Sequence, residues 1–270
     1  MCTVVVDRRP DNSWPVLIGA NRDEMETRPW QAPARHWPDR PEVVAGLDEE
    51  AGGSWLGVND WGVFACLLNR FGTLGPQAGK RSRGELVLEA LDHADAVAAA
   101  EAMKDLNPEA YRPFNLLIID NRDGFWIRHA DEAGKTAPQI HPIPDGLSIF
   151  TALDRNDEAD PRIRHHLPLF EAAVLPQPDP DADGLGDWQA WEALLASRER
   201  DADSAETAAM CFRTERGFAT SSSALLALPT IGLAAPDGTP RGPILRFCPR
   251  KSGSGDGTES APEWQTLLPE

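Results

Sequence analysis

The sequence predicts an α+β fold built on mainly antiparallel sheets. Short apolar runs separated by turn residues cluster towards both ends of the chain, and segments with helical patterning lie between them. Neighbouring runs joined by short turns indicate hairpins, whose strands pair antiparallel. The sequence contains no repeat of fixed period, which argues against a solenoid. Its 270 residues suffice for one large domain or two small ones.

The first third of the chain predicts two hairpins. Strands over 3–7 and 16–20 flank a turn rich in Pro, Asp, Asn and Ser. The polar cluster 21–24 follows the second strand directly, and residues 25–42 lack any periodicity and predict a long loop. A second hairpin is predicted over residues 52–69, with its turn at Asp60, Trp61 and Gly62.

Helices and further strands are predicted over the rest of the chain. Ser82 and Glu85 match a capping box at the start of an amphipathic helix. An Ala-rich second helix is predicted over 94–106, and residues 176–187 predict an acidic loop. The remaining helices are predicted over 162–174 and 188–200, and the remaining strands over 114–120, 125–129, 147–153, 210–214, 218–228 and 244–247.

Composition and charge exclude several classes of partner. The chain has 43 acidic and 26 basic residues and a net charge of −17, so it should repel nucleic acid and anionic membrane surfaces. The longest apolar run is six residues, 63–68, whereas a membrane-spanning helix needs about 20. No secretory signal pattern precedes residue 20, which predicts a cytoplasmic protein with free thiols at its four scattered cysteines.

Cys2 is the strongest candidate for chemistry. If methionine aminopeptidase removes Met1, Cys2 carries a thiol and a free α-amine on one residue. The amine titrates near pH ~8 and can accept the thiol proton, so the residue supplies both nucleophile and base. A chance cysteine at the second position is the alternative interpretation.

The polar cluster after the first hairpin, Asn21, Arg22, Asp23 and Glu24, should lie beside Cys2. A hairpin brings the end of its second strand next to the start of its first. Asp23 would then hold the α-amine through a charged hydrogen bond, and Arg22 would bind a carboxylate of the substrate. Asn21 and Glu24 are predicted to contact the substrate together with Arg22.

Two further asparagines, Asn59 and Asn69, end the strands of the second hairpin. A side-chain amide N–H can stabilise the oxyanion of an acyl-transfer intermediate. We predict Asn69 as that donor and Asn59 as a substrate contact, although either residue could equally be an ordinary turn or strand-end residue.

Several motifs together resemble the NRDE family, also called the transport and Golgi organisation protein family. They are M-C-T at 1–3, N-R-D-E at 21–24, A-G-G-S-W-L-G-V-N at 51–59, L-N-R at 68–70, S-R-G-E-L at 82–86, Y-R-P-F-N-L at 111–116 and S-S-S-A-L-L-A-L-P at 221–229. The family is in turn similar to N-terminal-nucleophile hydrolases of the choloylglycine hydrolase and penicillin acylase type. The resemblance implies a four-layer αββα sandwich, with a single domain over 1–248 and a polar tail over 249–270.

The resemblance also implies site residues. Cys2 matches the nucleophile of these hydrolases, Asp23 matches the acid that orients the nucleophile's amine, and Asn69 falls near their first oxyanion donor. An arginine of the hydrolases is replaced here by Ala20, and it stays open whether Arg22 substitutes for it. Their mid-chain Asn and late Arg, which would fall near residues 151–154 and Ser221, have no counterpart in this sequence.

The sequence therefore predicts a cysteine amidohydrolase that acts on a small acylated amide and needs no metal or cofactor. The alternative is a non-enzymatic carrier of haem or an acyl lipid on the same scaffold, because members of the family are linked to haem trafficking and acyl metabolism. His36, His129 and Cys248 are the candidate haem ligands. The oligomeric state stays open.

Overall fold

The computed structural model of the chain describes residues 2–130, 137–250 and 263–267. Two large antiparallel sheets dominate it. In chain order the strands are β1 Thr3–Arg8, β2 Val16–Met25, β3 Trp30–Ala34, β4 Val43–Asp48, β5 Leu56–Asn59, β6 Phe64–Asn69, β7 Phe114–Ile119, β8 Gly124–His129, β9 Gln139–Pro142, β10 Gly146–Phe150, β11 Gln177–Pro178, β12 Gly186–Asp187, β13 Phe218–Leu228, β14 Ile244–Pro249 and β15 Gln265–Leu267. The α-helices are α1 Glu85–Leu91, α2 Ala96–Ala102, α3 Pro161–Ala172 and α4 Gln189–Leu195.

The chain forms four layers in the order helix, sheet, sheet, helix. One sheet has six strands in the order β10-β1-β2-β13-β14-β15, and the other has seven in the order β3 to β9. An apolar cluster lies between the sheets, a second packs α1 and α2 on the seven-stranded sheet, and a third packs α3 and α4 on the six-stranded sheet. This arrangement confirms the predicted αββα sandwich.

Side-chain alternation divides each central strand between two layers. Val4 and Val6 of β1 face the opposite sheet, whereas Val5 between them faces the helices. In β2, Ile18 and Ala20 face the opposite sheet and Leu17 faces the helices. The same alternation continues through the polar end of β2 and decides where residues 21–24 point.

The first hairpin forms as predicted, and its second strand is longer than predicted. β1 and β2 pair antiparallel with Thr3 opposite Asn21, and β2 continues through the polar cluster to Met25. β13 pairs along β2 with a register shift between Thr220 and Ser222, so that Ser221 is an extra residue in the ladder. Hydrogen bonding to β13 keeps residues 21–25 extended despite their polarity.

Four expectations about single elements were wrong. The predicted acidic loop 176–187 contains the short paired strands β11 and β12. The predicted loop 25–42 contains β3. The residue before α1 is Gly84, which has no side chain to cap the helix, and the Glu85 carboxylate contacts Tyr111 and Arg81. Residues 210–214 contribute only one isolated β-bridge, at Arg213.

The predicted C-terminal tail is partly ordered into the sheet. β14 runs to Pro249, and β15, which lies within 249–270, pairs with β14 at the edge of the six-stranded sheet. Residues 251–262 and 268–270 of that predicted tail lie outside the described residues. Within the described ranges, no helix combines the length and the apolar character needed to cross a membrane.

Candidate active site

Cys2 lies at the start of β1, opposite the polar end of β2. Its sulfur accepts a hydrogen bond from the backbone N–H of Asp23 at 3.4 Å and lies 3.7 Å from the Asp23 carbonyl oxygen. Burial, followed by the nearby Asp23 carboxylate, raises the pKa of the Cys2 thiol. The thiol is therefore protonated at neutral pH and needs a base before it can attack.

The Asp23 carboxylate faces the helical layer and is held there by two other elements. Nη1 of Arg162, in α3, lies 2.8 Å from one carboxylate oxygen, and the Thr220 hydroxyl of β13 lies 2.8 Å from the other. The same Arg162 nitrogen also donates to Thr3 Oγ1 at 2.7 Å, and Nη2 donates to the Thr207 carbonyl. Arg162 and Asp23 are both almost fully buried, so this ion pair is fixed in the structure.

The Arg22 guanidinium faces the opposite way, into the space between the sheets. Its centre lies 4.5 Å from the Trp55 ring and 6.0 Å from the Trp30 ring, which stabilises the cation through the aromatic faces. Nη1 donates to Ser221 Oγ at 3.1 Å. Burial lowers the pKa of Arg22.

A cleft brings five of the seven predicted site residues together. Its empty volume is about 1280 Å³, part of it open to solvent, and Cys2, Arg22, Asp23, Glu24 and Asn69 line it. The Asn69 side chain is half-buried, and within the described part of the chain its amide has no hydrogen-bond partner. It is therefore available to a ligand in the cleft.

Asn21 and Asn59 do not present their side chains to the cleft, which corrects the prediction for both. The Asn21 amide donates to the carbonyls of Leu195 and Met210, and its oxygen accepts from Ser223. Asn21 alternates with Arg22 along β2 and so faces α4.

The Asn59 amide is fully engaged on the other outer face of the sandwich. It donates to the carbonyls of Leu91 and His93 at 2.8 Å each, and its oxygen accepts from the Val63 amide at 2.9 Å. These bonds tie the end of β5 to the end of α1, so Asn59 is a structural residue.

A second, smaller pocket lies behind the Cys2 sulfur and is mainly apolar. Its cavity volume is about 10 Å³, room for about one water molecule. Its lining includes Ala20, Trp55, Leu56, Cys66 and Ala224. Cys2 therefore lines both this apolar pocket and the polar cleft.

The structure does not assemble a haem site from the candidate ligands. Among the cleft-lining residues that the structure describes there is no histidine. His36 Nε2 lies 2.8 Å from the Ala32 carbonyl, and Cys248 is completely buried in the six-stranded sheet. His129 is buried at the end of β8. No group of metal-ligating side chains was found within the described residues.

Three residues of the site were not predicted from the sequence. Arg162 lies 139 positions from Asp23 and Thr220 lies 197 positions from it, and nothing in the local sequence links them. Trp55 belongs to the A-G-G-S-W-L-G-V-N motif, and its contact with Arg22 connects two of the motifs that carry the family resemblance.

Comparison with known proteins agrees with this architecture. The family model described as Transport and Golgi organisation 2 matches residues 1–183. The Transport and Golgi organization protein 2 homolog of Bos taurus is 36% identical over 131 residues, which are 44% of this chain and 45% of that protein. The match thus spans about half the length of this curated relative.

Two solved structures share the fold at low sequence identity. The N-acylethanolamine-hydrolyzing acid amidase ortholog of Caenorhabditis elegans has a TM-score of 0.54 at 14% identity, covering 90% of this chain and 98% of that one. A variant of the conjugated bile acid hydrolase from Clostridium perfringens has a TM-score of 0.50 at 13% identity, covering 100% and 97%. The chain therefore belongs to the Transport and Golgi organisation 2 family, the NRDE family of the sequence analysis, and has the fold of N-terminal-nucleophile hydrolases.

Proposed function

We propose that this protein is an N-terminal cysteine amidohydrolase that cleaves the C–N bond of a small acylated amide. The observation that carries the proposal is the position of the Cys2 sulfur at the cleft wall, bonded to the Asp23 amide and sharing the cleft with Asn69. The hydrolase-like fold supports the same assignment, although a fold alone does not fix an activity.

Acylation requires that Met1 first be removed. The Cys2 α-amine then takes the thiol proton as the sulfur bonds to the substrate carbonyl carbon, and the carbonyl electron pair moves to oxygen. The raised pKa of the thiol makes this internal base necessary. The Asn69 amide N–H stabilises the oxyanion, and the Asp23 backbone N–H stabilises the sulfur while it carries negative charge.

Collapse of the tetrahedral intermediate completes the first half of the reaction. The C=O bond re-forms, the C–N bond breaks, and the leaving amine takes the proton from the Cys2 ammonium group. Water then loses a proton to the same amine and attacks the thioester. The C–S bond breaks, the sulfur recovers its proton, and the acid product leaves.

The surroundings of the sulfur suit an acylated substrate. The small space beside Ala20, Trp55 and Leu56 offers apolar surface only to the atoms next to the scissile carbonyl, and the polar cleft receives the amine side. Arg22 lies where these two spaces meet, since it lines both. It can donate to a carbonyl or carboxylate oxygen there.

The test combines intact-mass measurement with a screen of N-acyl amides. Protein lacking Met1 should hydrolyse one or more of these amides and accumulate a thioester adduct on Cys2. Replacing Cys2→Ala should lower turnover by about a thousandfold or more, as loss of a nucleophile does in other hydrolases. Cys211→Ala, which removes a half-buried thiol outside the cleft, should keep full activity.

Three results would overturn the proposal. They are full activity in Cys2→Ala, full activity in protein that keeps Met1, and absence of turnover across the screen in fully processed protein. Tight binding of haem or acyl ligands by Cys2→Ala, combined with that absence of turnover, would favour the carrier function instead.

A further inference from the structure

One wall of the cleft carries three cations that have no acidic partner. Lys80, Arg83 and Arg112 all line it. Within the part of the chain that the structure describes, no carboxylate lies within 4.0 Å of any of them. In a chain with a net charge of −17, such a group is unusual because acidic neighbours are abundant.

Neutral oxygens hold these three cations in place. Arg83 donates to the Thr73 hydroxyl and carbonyl and to the Pro113 carbonyl. Arg112 donates to the carbonyls of Gly72, Leu74 and Gly75.

The guanidinium groups of Arg83 and Arg112 both have N–H groups without a described acceptor. A guanidinium has five N–H groups, and described residues accept three hydrogen bonds from Arg83 and three from Arg112. Lys80 donates to the Glu109 carbonyl, which leaves further N–H groups of its ammonium free of described partners.

The acidic residues of the opposite wall contact a different arginine. Arg28 lies 2.8 Å from Asp48, 2.7 Å from Glu50 and 4.0 Å from Glu24. These three carboxylates contact Arg28, and within the described residues none of them lies within 4.0 Å of Lys80, Arg83 or Arg112.

The positive charges of Arg83 and Arg112 on this wall repel each other. Burial, followed by the Arg112 guanidinium, lowers the pKa of Arg83 to about 10. A bound anion would offset both the burial and the repulsion. Carboxylate and phosphate oxygens are the groups that arginines in this arrangement recognise best.

We propose that Lys80, Arg83 and Arg112 form a subsite for an anionic oxygen group of the molecule that occupies the cleft. The group is a carboxylate or a phosphate, and it lies on the amine side of the scissile bond. The inference rests on the proposed function, because it names the substrate class of that reaction as an acylated amide with an anionic end.

Binding in a Cys2→Ala background tests the subsite without requiring turnover. The probes are N-decanoylglycine, its phosphate counterpart N-decanoyl-O-phosphoethanolamine, and the neutral N-decanoylglycinamide, measured by calorimetry. At least one anionic probe should bind about tenfold more tightly than the neutral one, since a charge-assisted hydrogen bond is about twice as strong as a neutral one. The preference should shrink as salt rises from about 20 to about 200 mM.

Arg112→Gln should reduce this preference to within about threefold while leaving the affinity for the neutral probe unchanged. Lys80→Gln provides a second variant. Lys80 donates one hydrogen bond to a described residue, the Glu109 carbonyl, so its replacement should disturb the local backbone less than Arg112→Gln does. Arg122→Gln is the matched control, because Arg122 is exposed and lies outside the cleft; it should keep the full preference. The anionic probe that binds more tightly identifies the group.

The outcomes separate this inference from the proposed activity. Equal binding of charged and neutral probes by the Cys2→Ala protein would overturn the subsite, even if processed wild type hydrolyses neutral amides. An anionic preference that disappears in Arg112→Gln would establish the subsite, even if no amide is turned over. An equal loss of neutral and anionic binding in both variants would show that the cations only support the loop, and would also overturn the subsite.

Discussion

Two asparagines with the same amide group lie in different surroundings in this protein. Asn69 lines the cleft with a half-buried side chain, whereas the Asn59 side chain donates to two carbonyls at the end of α1 and accepts from the Val63 amide. Asn69→Ala should lower kcat by about 10²–10³, the usual cost of losing an oxyanion donor, with little change in stability.

Asn59→Ala is the matched comparison for that experiment. It should lower the free energy of unfolding by about 1–3 kcal/mol because buried backbone groups lose their partners, while kcat per folded molecule stays the same. Steady-state kinetics and urea unfolding of both variants check the pair. The reverse pattern would exchange the roles of the two residues.

The buried pair of Asp23 and Arg162 gives a second prediction at this scale. Arg162→Met should destabilise the fold by about 3–5 kcal/mol, because it leaves the Asp23 carboxylate buried without its counter-ion. Adding Asp23→Asn to the Arg162→Met protein should restore part of the lost stability. Urea unfolding of the two single variants and the double variant measures the coupling, and strictly additive losses would contradict it.

Local geometry explains why several of the predicted site residues lie beside one another. One hairpin sets Cys2 beside residues 22–24, and the end of β6 points Asn69 into the same cleft. Asn21 was misplaced because the polar cluster 21–24 was expected to lie beside Cys2 as a whole, without regard to the alternation of its side chains. In a strand they alternate, which turns Asn21 towards α4.

At the level of elements, the hairpins and the central helices were predictable from short-range patterns. β3 was missed because Trp30, Pro33 and their neighbours have no alternating pattern. Its ladder to β4 is irregular, with a register shift between Gln31 and Ala34. The helix α1 was expected to begin with a capping box, but packing decides its start.

At Gly53 the backbone lies very close to the residues that precede helix α1. A Cβ at Gly53 would lie 2.5 Å from the Gly84 carbonyl carbon and 2.8 Å from its oxygen, just before α1 and next to Arg83. Gly53→Ala should therefore cost about 1–3 kcal/mol by overpacking and disturb the cleft wall.

Gly242→Ala is the control for this substitution, because nothing lies within 4 Å of its Cβ position. It should change the free energy of unfolding by less than about 0.5 kcal/mol. Thermal and urea unfolding of both variants give the comparison. Equal stability of the two proteins would show that the 82–85 segment can move away at no cost.

For the whole molecule, the four layers could be anticipated only from the family resemblance. Periodicity predicted strands, but the pairing of β2 with β13 joins residues about 200 positions apart, such as Asn21 and Ser223. Hydrophobic patterning within each strand does not encode which distant strand becomes its neighbour.

The stability of the whole molecule should fall in mild acid through His166. This residue is completely buried in α3, and burial, followed by His165 and Arg162, lowers its pKa from 6.5 to about 4. Below pH 6.5 the His166 side chain binds a proton in the unfolded chain but stays neutral in the folded protein. The free energy of unfolding therefore decreases as the pH falls towards 4. Between about pH 7.5 and pH 5 the loss from this group should be about 2 kcal/mol.

Urea unfolding at the two pH values measures this effect. His166→Leu should remove that part of the pH dependence, whatever its effect on stability at pH 7.5. An unchanged difference between the two pH values in the variant would show that other groups cause the acid sensitivity.

The extra residue in β13 has a consequence for how chain length can vary at this site. Thr220 and Ser223 bond Asp23 and Asn21 on the helical side, and both would stay in phase with β2 if Ser221 were absent, since Ser221 is the unpaired insertion. A one-residue deletion here should therefore preserve the pairing of β13 with β2, and remove the hydroxyl that touches Arg22 and the carbonyl that accepts from the Arg250 amide. The position beside the guanidinium is thus a place where insertions and deletions can reshape the cleft without refolding the sheet.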